Sequence, residues 1–438
     1  MRIKVIGAGL AGCEAAWQLA RQGVDVELID MKPNEYTPAH HNRDFAELVC
    51  SNSLRAAGLE NAVGLLKEEL RIMGSLIVSC ADETAVPAGG ALAVDRQSFS
   101  RLITERILSH ERITFTSQKI EKIPQDDICI IATGPLTEGP LAQDISDFLG
   151  ETLSFFDAAA PIVSFESIDM TKAYFASRYG KGSPDYINCP MDREQYLAFH
   201  KELVAGECAH LHEFEDSRVF EGCMPIEVMA RRGEDTIRFG PLKPVGLPDP
   251  KTGKDPYAVV QLRKDNASGT LYNIVGFQTH LRMPEQKRIF SMIPGLEQAE
   301  FVRYGVMHRN TFIQSPGQIN ASYMVKKRPG LFFAGQMTGV EGYVESTASG
   351  LVAGIAAARM AQGRPAINFP DNTAIGALAH YISNESIADF QPMNVNFGIF
   401  SQDKITAKKK KDRRAMMSQL AQEEIKDIAA QIFAAEKD

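Results

Sequence analysis

The chain has 438 residues, 44% of them hydrophobic, and a formal net charge of −8 at neutral pH. That length can build two or three domains with a large core, and the apolar fraction is ordinary for a globular protein. No apolar run reaches the ~18 residues of a membrane span, the opening residues read as a core strand rather than a signal peptide, and the acidic balance gives no general attraction to DNA. The seven cysteines (13, 50, 80, 129, 189, 208 and 223) are scattered without a C-x-x-C pair. This fits a reducing, cytoplasmic setting and speaks against a metal centre or a dithiol redox pair. No membrane or DNA partner is expected, and no stable protein partner is inferred.

The first element is an apolar strand, Ile3 to Ile6, that runs into Gly7-Ala8-Gly9-Leu10-Ala11-Gly12, spaced G-x-G-x-x-G. An apolar helix over Ala15–Ala20 and a second strand, Val24 to Ile29, follow, and Asp30 lies 18 residues past Gly12. Strand, Gly turn, helix, strand and acid make the βαβ unit that binds the ADP half of a dinucleotide. Gly7 allows the tight turn, Gly9 admits a pyrophosphate to the backbone, and Gly12 lets the helix pack closely. The helix N-terminus offers free N–H groups to phosphate, and Asp30 can accept from ribose hydroxyls.

A helix is predicted over Asn61–Ser75 with Asn61 as N-cap, and Asp95 caps the next one. Strands follow at Ile113–Thr116 and Ile128–Ile131, the latter ending in Ala132-Thr133-Gly134. From about 155 the texture turns β-rich, with runs at Ala258–Leu262, Thr270–Phe277 and Val302–Met307 separated by turn clusters. At Leu331-Phe332-Phe333-Ala334-Gly335 a buried strand meets a Gly again, and a small-residue helix follows over Ser346–Met360. The last 40 or so residues read as a charged helix.

A plain NAD domain completes its site in one segment, so the late strand favours FAD. The fold is therefore read as α/β, a two-segment FAD-binding Rossmann-type fold resembling the glutathione-reductase class, with an inserted β-rich α+β domain. The expected division is 1–154, 155–328 and 329–438. In that class the late strand usually ends in Gly-Asp; here it ends in Gly335-Gln336, and Gln336 is expected to substitute as a hydrogen-bonding group. The expected cofactor-binding residues are Gly7, Ala8, Gly9, Leu10, Ala11, Gly12, Asp30, Gly134, Gly335, Gln336, Gly342 and Tyr343, with Tyr343 placed to stack on a ring.

Two cysteines stand in polar or turn-like settings. Cys50 is followed by Ser51, Asn52 and Arg55; a short helix capped by Ser51 or Asn52 would set the thiol at a positive helix end. Cys223, in Glu221-Gly222-Cys223-Met224-Pro225, suggests an exposed turn. Cys13, Cys80 and Cys129 read as small buried hydrophobes.

Long segments carry a resemblance: the Gly7–Gly12 turn, Thr37-Pro38-Ala39-His40-His41, Phe45 to Arg55, Pro87 to Arg96, Glu221 to Met229, and Phe333 to Ser346. Together they resemble the folate- and FAD-dependent tRNA (uracil-5-)-methyltransferase family across nearly the whole chain. That resemblance implies formation of 5-methyluridine in the T loop (tRNA position 54) from 5,10-methylenetetrahydrofolate, with hydride from FADH2 regenerated by NADPH or NADH. It places two functional cysteines at Cys50 and Cys223. One adds to uracil C6, making C5 nucleophilic; the other assists proton removal or holds the flavin adduct. The substrate partner is the tRNA T arm, for which basic residues among Arg231, Arg232, Arg282 and Arg309 are expected to gather around the flavin pocket, with His308 or Tyr343 near the folate. The competing reading is an NAD(P)H-dependent flavin oxidoreductase acting on a small molecule, since fold does not fix function; a third is an RNA-binding factor that keeps a flavin as a relic.

Overall fold

The computed structural model describes residues 2–433 apart from 38, 127, 151, 159, 181, 209–223, 306 and 388–389, and for 152–158 and 307–309 it describes the backbone alone. Five apolar runs form a parallel sheet: β1 (Arg2–Ile6), β2 (Asp25–Asp30), β3 (Ile113–Ser117), β4 (Cys129–Ile131) and β5 (Leu331–Phe333), in the order β5-β4-β1-β2-β3. Ile3, Val5, Val26, Leu28, Ile130 and Phe333 are fully buried, as strands covered on both faces must be. β5 pairs with β4 from Leu331↔Cys129 to Phe333↔Ile131. Two distant segments thus close one sheet, the two-segment Rossmann-type arrangement.

Helix α1 (Leu10–Arg21) leaves the Gly turn after β1. Gly7 has φ +102°, and a Cβ there would lie 2.4 Å from the Ala132 carbonyl oxygen. A Cβ at Gly12 would lie 1.8 Å from the Gly7 carbonyl oxygen, so the close approach that Gly12 permits is mainly to the turn itself. α2 spans Ala62–Ile72; Asn61 holds the N-cap position but its side chain makes no capping bond, whereas Asp95 accepts from the Ser98 N–H at 2.9 Å. α3 (Tyr343–Ala361) packs along α1 at backbone distance. A Cβ at Gly350 would sit 2.2 Å from the Ala11 oxygen, and one at Gly354 2.7 Å from the Ala15 oxygen. The small residues of α3 therefore bring the second segment against the helix that starts at the Gly turn.

The β-rich stretch forms a separate six-stranded antiparallel sheet. Its strands are Tyr174–Ala176, Tyr186–Met191, Ala258–Lys264, Leu271–Ile274, Ile162–Ser164 and Phe301–Arg303 in spatial order. Its core draws on residues from Val163 to Ala299, while the main core draws on Ile3 to Leu149 and Phe312 to Ile432. Strands Thr152–Ala158 and Met307–Ile313 pair antiparallel where the chain passes between the two bodies. The closing helix, Lys410–Phe433, buries Met417, Ala421, Ile425, Ile428 and Ile432.

Candidate functional site: a cavity at the Gly turn

A cavity of about 400 Å³ opens where the Gly turn, the loop after β4, the segment after β5 and a strand of the inserted sheet converge. Gly7, Ala8, Gly9, Leu10, Ala11, Asp30, Gly134, Gly335, Gln336, Gly342, Tyr343 and Cys50 all line it; Gly12 stands behind it. A Cβ at Gly9 would meet nothing within 4 Å, so this part of the wall is bare backbone facing open space. Gly9 is also the N-cap of α1, without a side-chain capping bond, and the first turn carries no acid. The end of α1 is left free to receive an anion. Asp30 is fixed in place: Oδ2 accepts from the Ala8 N–H at 2.6 Å and Oδ1 from the Lys32 N–H at 2.9 Å. Each carboxylate oxygen retains a second acceptor site.

At the far wall, the Gln336 amide donates to Glu341 Oε1 at 2.7 Å, and Gly335 N–H donates to Ser349 Oγ at 2.7 Å. Glu341 lines the cavity and is 4% exposed. The carboxylate that the late strand lacks at position 336 is thus supplied five residues further on, held by the glutamine that replaced it.

Cys50 lies in a bend just before the strand Ser53–Ala56, so the expected short helix after it is absent. Neither Ser51 nor Asn52 caps a helix, and the helix-end explanation for an activated Cys50 falls with it. The polar run is taken up in cross-chain bonds instead. The Tyr343 hydroxyl accepts from the Cys50 N–H at 2.8 Å and the Ser51 N–H at 3.3 Å; that hydroxyl is occupied in holding the cysteine backbone. Arg96 donates to the Leu48 oxygen at 2.6 Å and the Cys50 oxygen at 3.5 Å, and Arg303 donates to the Val49 oxygen. The Lys67 ammonium donates to the Leu54 and Ala56 oxygens, each at 2.8 Å; burial, and then nearby Arg55, push its pKa down to about 7. The backbone on both sides of the thiol is therefore pinned before any ligand arrives. Arg55 pairs with buried Glu345, and Arg263 bonds Ser51 and Asn52 from the inserted sheet.

Arg55 and Arg263 line the cavity, with Arg96 and Arg303 on the Cys50 backbone. Arg231, Arg232 and Arg282 do not line it; Arg282 begins the helix Met283–Phe290 and pairs with Glu207 at 3.0 Å. Their positions in basic or turn-like sequence gave no information on which face they would occupy. Cys223 lies outside the described residues, as do the side chains of His308 and Arg309. His40 lines the cavity, with Nδ1 2.6 Å from Thr37 Oγ1. Cys13, Cys80 and Cys129 are buried, and burial pushes all three thiols up, Cys80 to about 12 and Cys129 to about 11. They are the inert hydrophobes that their apolar surroundings suggested.

One network was not legible in the sequence. Next to Gln278, which lines the cavity, Thr279 Oγ1 and the His280 N–H donate to the fully buried Glu227 at 2.8 and 2.9 Å. His280 Nδ1 lies 2.8 Å from Glu227 Oε1, and a Cys208, a Glu227 and a His280 ligating atom lie within 4.8 Å of one another. Burial alone would push the His280 pKa down, but the thiol and the carboxylate outweigh it and hold it up at about 9 against 6.5. A folded-state value above the unfolded one means stability that is complete below pH 6.5 and lost as the pH rises through 9, up to about 3 kcal/mol. Thermal unfolding of wild type against His280→Gln across that window checks this: wild type loses the more, and parallel curves would contradict the pairing.

Comparison with known proteins agrees along almost the whole length. The family model described as glucose inhibited division protein A matches residues 2–365. The chain belongs to this family. It is 62% identical over 412 residues to the methylenetetrahydrofolate--tRNA-(uracil-5-)-methyltransferase TrmFO of Acetivibrio thermocellus, covering 94% of each chain. It is 59% identical over 432 residues to that of Heliobacterium modesticaldum, covering 98% of each. Among solved structures, GidA of Aquifex aeolicus in its form II crystal superposes with a TM-score of 0.71 at 17% identity, covering 98% of this chain and 73% of that one. That likeness shows a shared fold. The smaller coverage of GidA reflects its greater length.

Proposed function

We propose that this protein is a folate- and FAD-dependent tRNA (uracil-5-)-methyltransferase that forms 5-methyluridine in the T loop of tRNA. The observation that carries the reading is 62% identity, over 94% of both chains, to a relative bearing that name. The cavity supports it, because Cys50 and the dinucleotide-type Gly turn line the same cavity.

The residues present fit FAD. Bare backbone at Gly9, the free start of α1 and the fixed Asp30 carboxylate suit the ADP half. The segment from Gly335 to Tyr343 would receive the flavin end, with Gln336 and Glu341 as its polar partners. FAD, when bound, supplies hydride, and NADPH or NADH would replenish it.

The chain's own part is to activate uracil. Uracil C5 is a weak nucleophile, and addition of a thiolate to C6 turns the ring into an enolate that attacks a methylene carbon. Cys50 and Cys223 would share this addition and the removal of the C5 proton. The pinned backbone around Cys50 keeps its thiol at the cavity wall, so little ordering remains for the reactive state. The methylene carbon comes from 5,10-methylenetetrahydrofolate.

The site of modification is tested by nucleoside mapping of tRNA after reaction. 5-Methyluridine is expected at T-loop position 54, with none formed on a tRNA carrying cytidine there. Methylation at another uridine, or of both tRNAs alike, would contradict the assignment.

A further inference from the structure

Arg263 occupies the strand Ala258–Lys264 of the inserted sheet, is 7% exposed, and lines the cavity together with Cys50. Its guanidinium donates to Ser51 Oγ at 2.7 Å and to Asn52 Oδ1 at 3.1 and 3.3 Å. All of these acceptors are neutral. The neighbouring cations are treated differently: Arg96 has Asp265 at 3.0 Å, and Arg55 pairs with Glu345. Among the described residues no carboxylate lies within 4.0 Å of the Arg263 guanidinium. Burial pushes the Arg263 pKa below its usual range, against the opposing pull of Tyr186 and of the Asp265 carboxylate, which is itself paired with Arg96. Neutral acceptors hold the guanidinium in place but do not neutralise it. A cation kept in this condition at a cavity wall suits negative charge that arrives with the substrate.

We propose that Arg263 stabilises the uracil O4 enolate formed when a cysteine thiolate adds to C6. This rests on the methyltransferase reading above. In that step the thiolate pair forms the S–C6 bond, the C5=C6 π pair becomes C4=C5, and the C4=O4 π pair settles on O4. A proton taken from water at C5 returns the charge from O4. Loss of the original C5 hydrogen with expulsion of the thiolate then restores uracil, carrying a solvent hydrogen. A donor aimed at a developing oxyanion acts on the reactive state more than on the bound substrate.

The competing role is purely mechanical, since Arg263 also ties the inserted sheet to the Ser51-Asn52 segment. The test is release of tritium from tRNA labelled at uracil C5, using FAD-loaded enzyme without folate. Arg263→Gln is expected to slow release at least about 100-fold while tRNA affinity and the flavin spectrum stay unchanged. Arg263→Lys, which restores the charge, is expected to recover part of the rate. Release at the wild-type rate in Arg263→Gln overturns the proposal. So does a folded Arg263→Lys, with normal flavin and tRNA binding, that has lost release completely. If wild type neither releases tritium nor forms 5-methyluridine, the methyltransferase reading itself fails; if it methylates but release is indifferent to residue 263, only this inference fails.

Discussion

Replacing Cys50 or Cys223 with Ala is expected to lower the rate of 5-methyluridine formation by about three orders of magnitude or more, while each variant keeps its flavin. Loss of one member of a group that acts as a unit costs nearly the whole effect. For Cys50, bonds that hold the segment run through backbone atoms. Tyr343 accepts from the Cys50 N–H, and Arg96 and Arg303 hold the preceding carbonyls. Removing the sulfur leaves all three in place, and a variant that keeps its flavin while losing the rate has lost chemistry. Rate measurement on tRNA, with the flavin absorbance of the same sample, checks this. Two variants that both retain full methylation would remove the thiols from the mechanism.

Gly9→Asp is expected to separate cofactor binding from folding. Position 9 is the N-cap of α1, and a Cβ there meets nothing within 4 Å. Asp is among the best N-cap residues, so the thermal midpoint of the apoprotein should hold or rise. The same carboxylate would point into the space assigned to the pyrophosphate, where like charge costs several kcal/mol. FAD affinity should fall by about a hundredfold or more. Flavin retention on gel filtration and a flavin titration read it directly. Unchanged affinity would move the phosphates away from this turn. Gly12→Ala is the contrasting case: its Cβ would sit 1.8 Å from the Gly7 oxygen, so fold and flavin should be lost together.

The parallel sheet and its turn were legible because their signals are local. β1, the Gly spacing and β2 lie within thirty residues, and Gly7 and Gly12 have steric reasons in the fold while Gly9 leaves open space. The return of β5 was legible as a second apolar strand meeting a Gly. The chemistry of the cavity was less so, because it is assembled across the chain. Arg263 reads in sequence as the polar end of a strand, and only pairing of the two bodies brings it to Ser51 and Asn52. Glu341 lies in a Gly-rich stretch that says nothing of its bond to Gln336. Ser51 and Asn52 carry capping-type side chains, and they cap no helix because partners distant in sequence satisfy them. Asn61 shows the converse: it takes the N-cap position without making the capping bond. Side-chain roles depend on neighbours that periodicity does not reveal.

The measurement closest to the central claim is carbon transfer from folate to RNA. Purified protein would be incubated with unmodified tRNA, NADPH and tetrahydrofolate labelled in its methylene group, and the RNA digested to nucleosides. Label is predicted in 5-methyluridine without any added S-adenosylmethionine. NADPH oxidation with no label in the RNA would contradict the account and identify a flavin reductase acting on a small molecule.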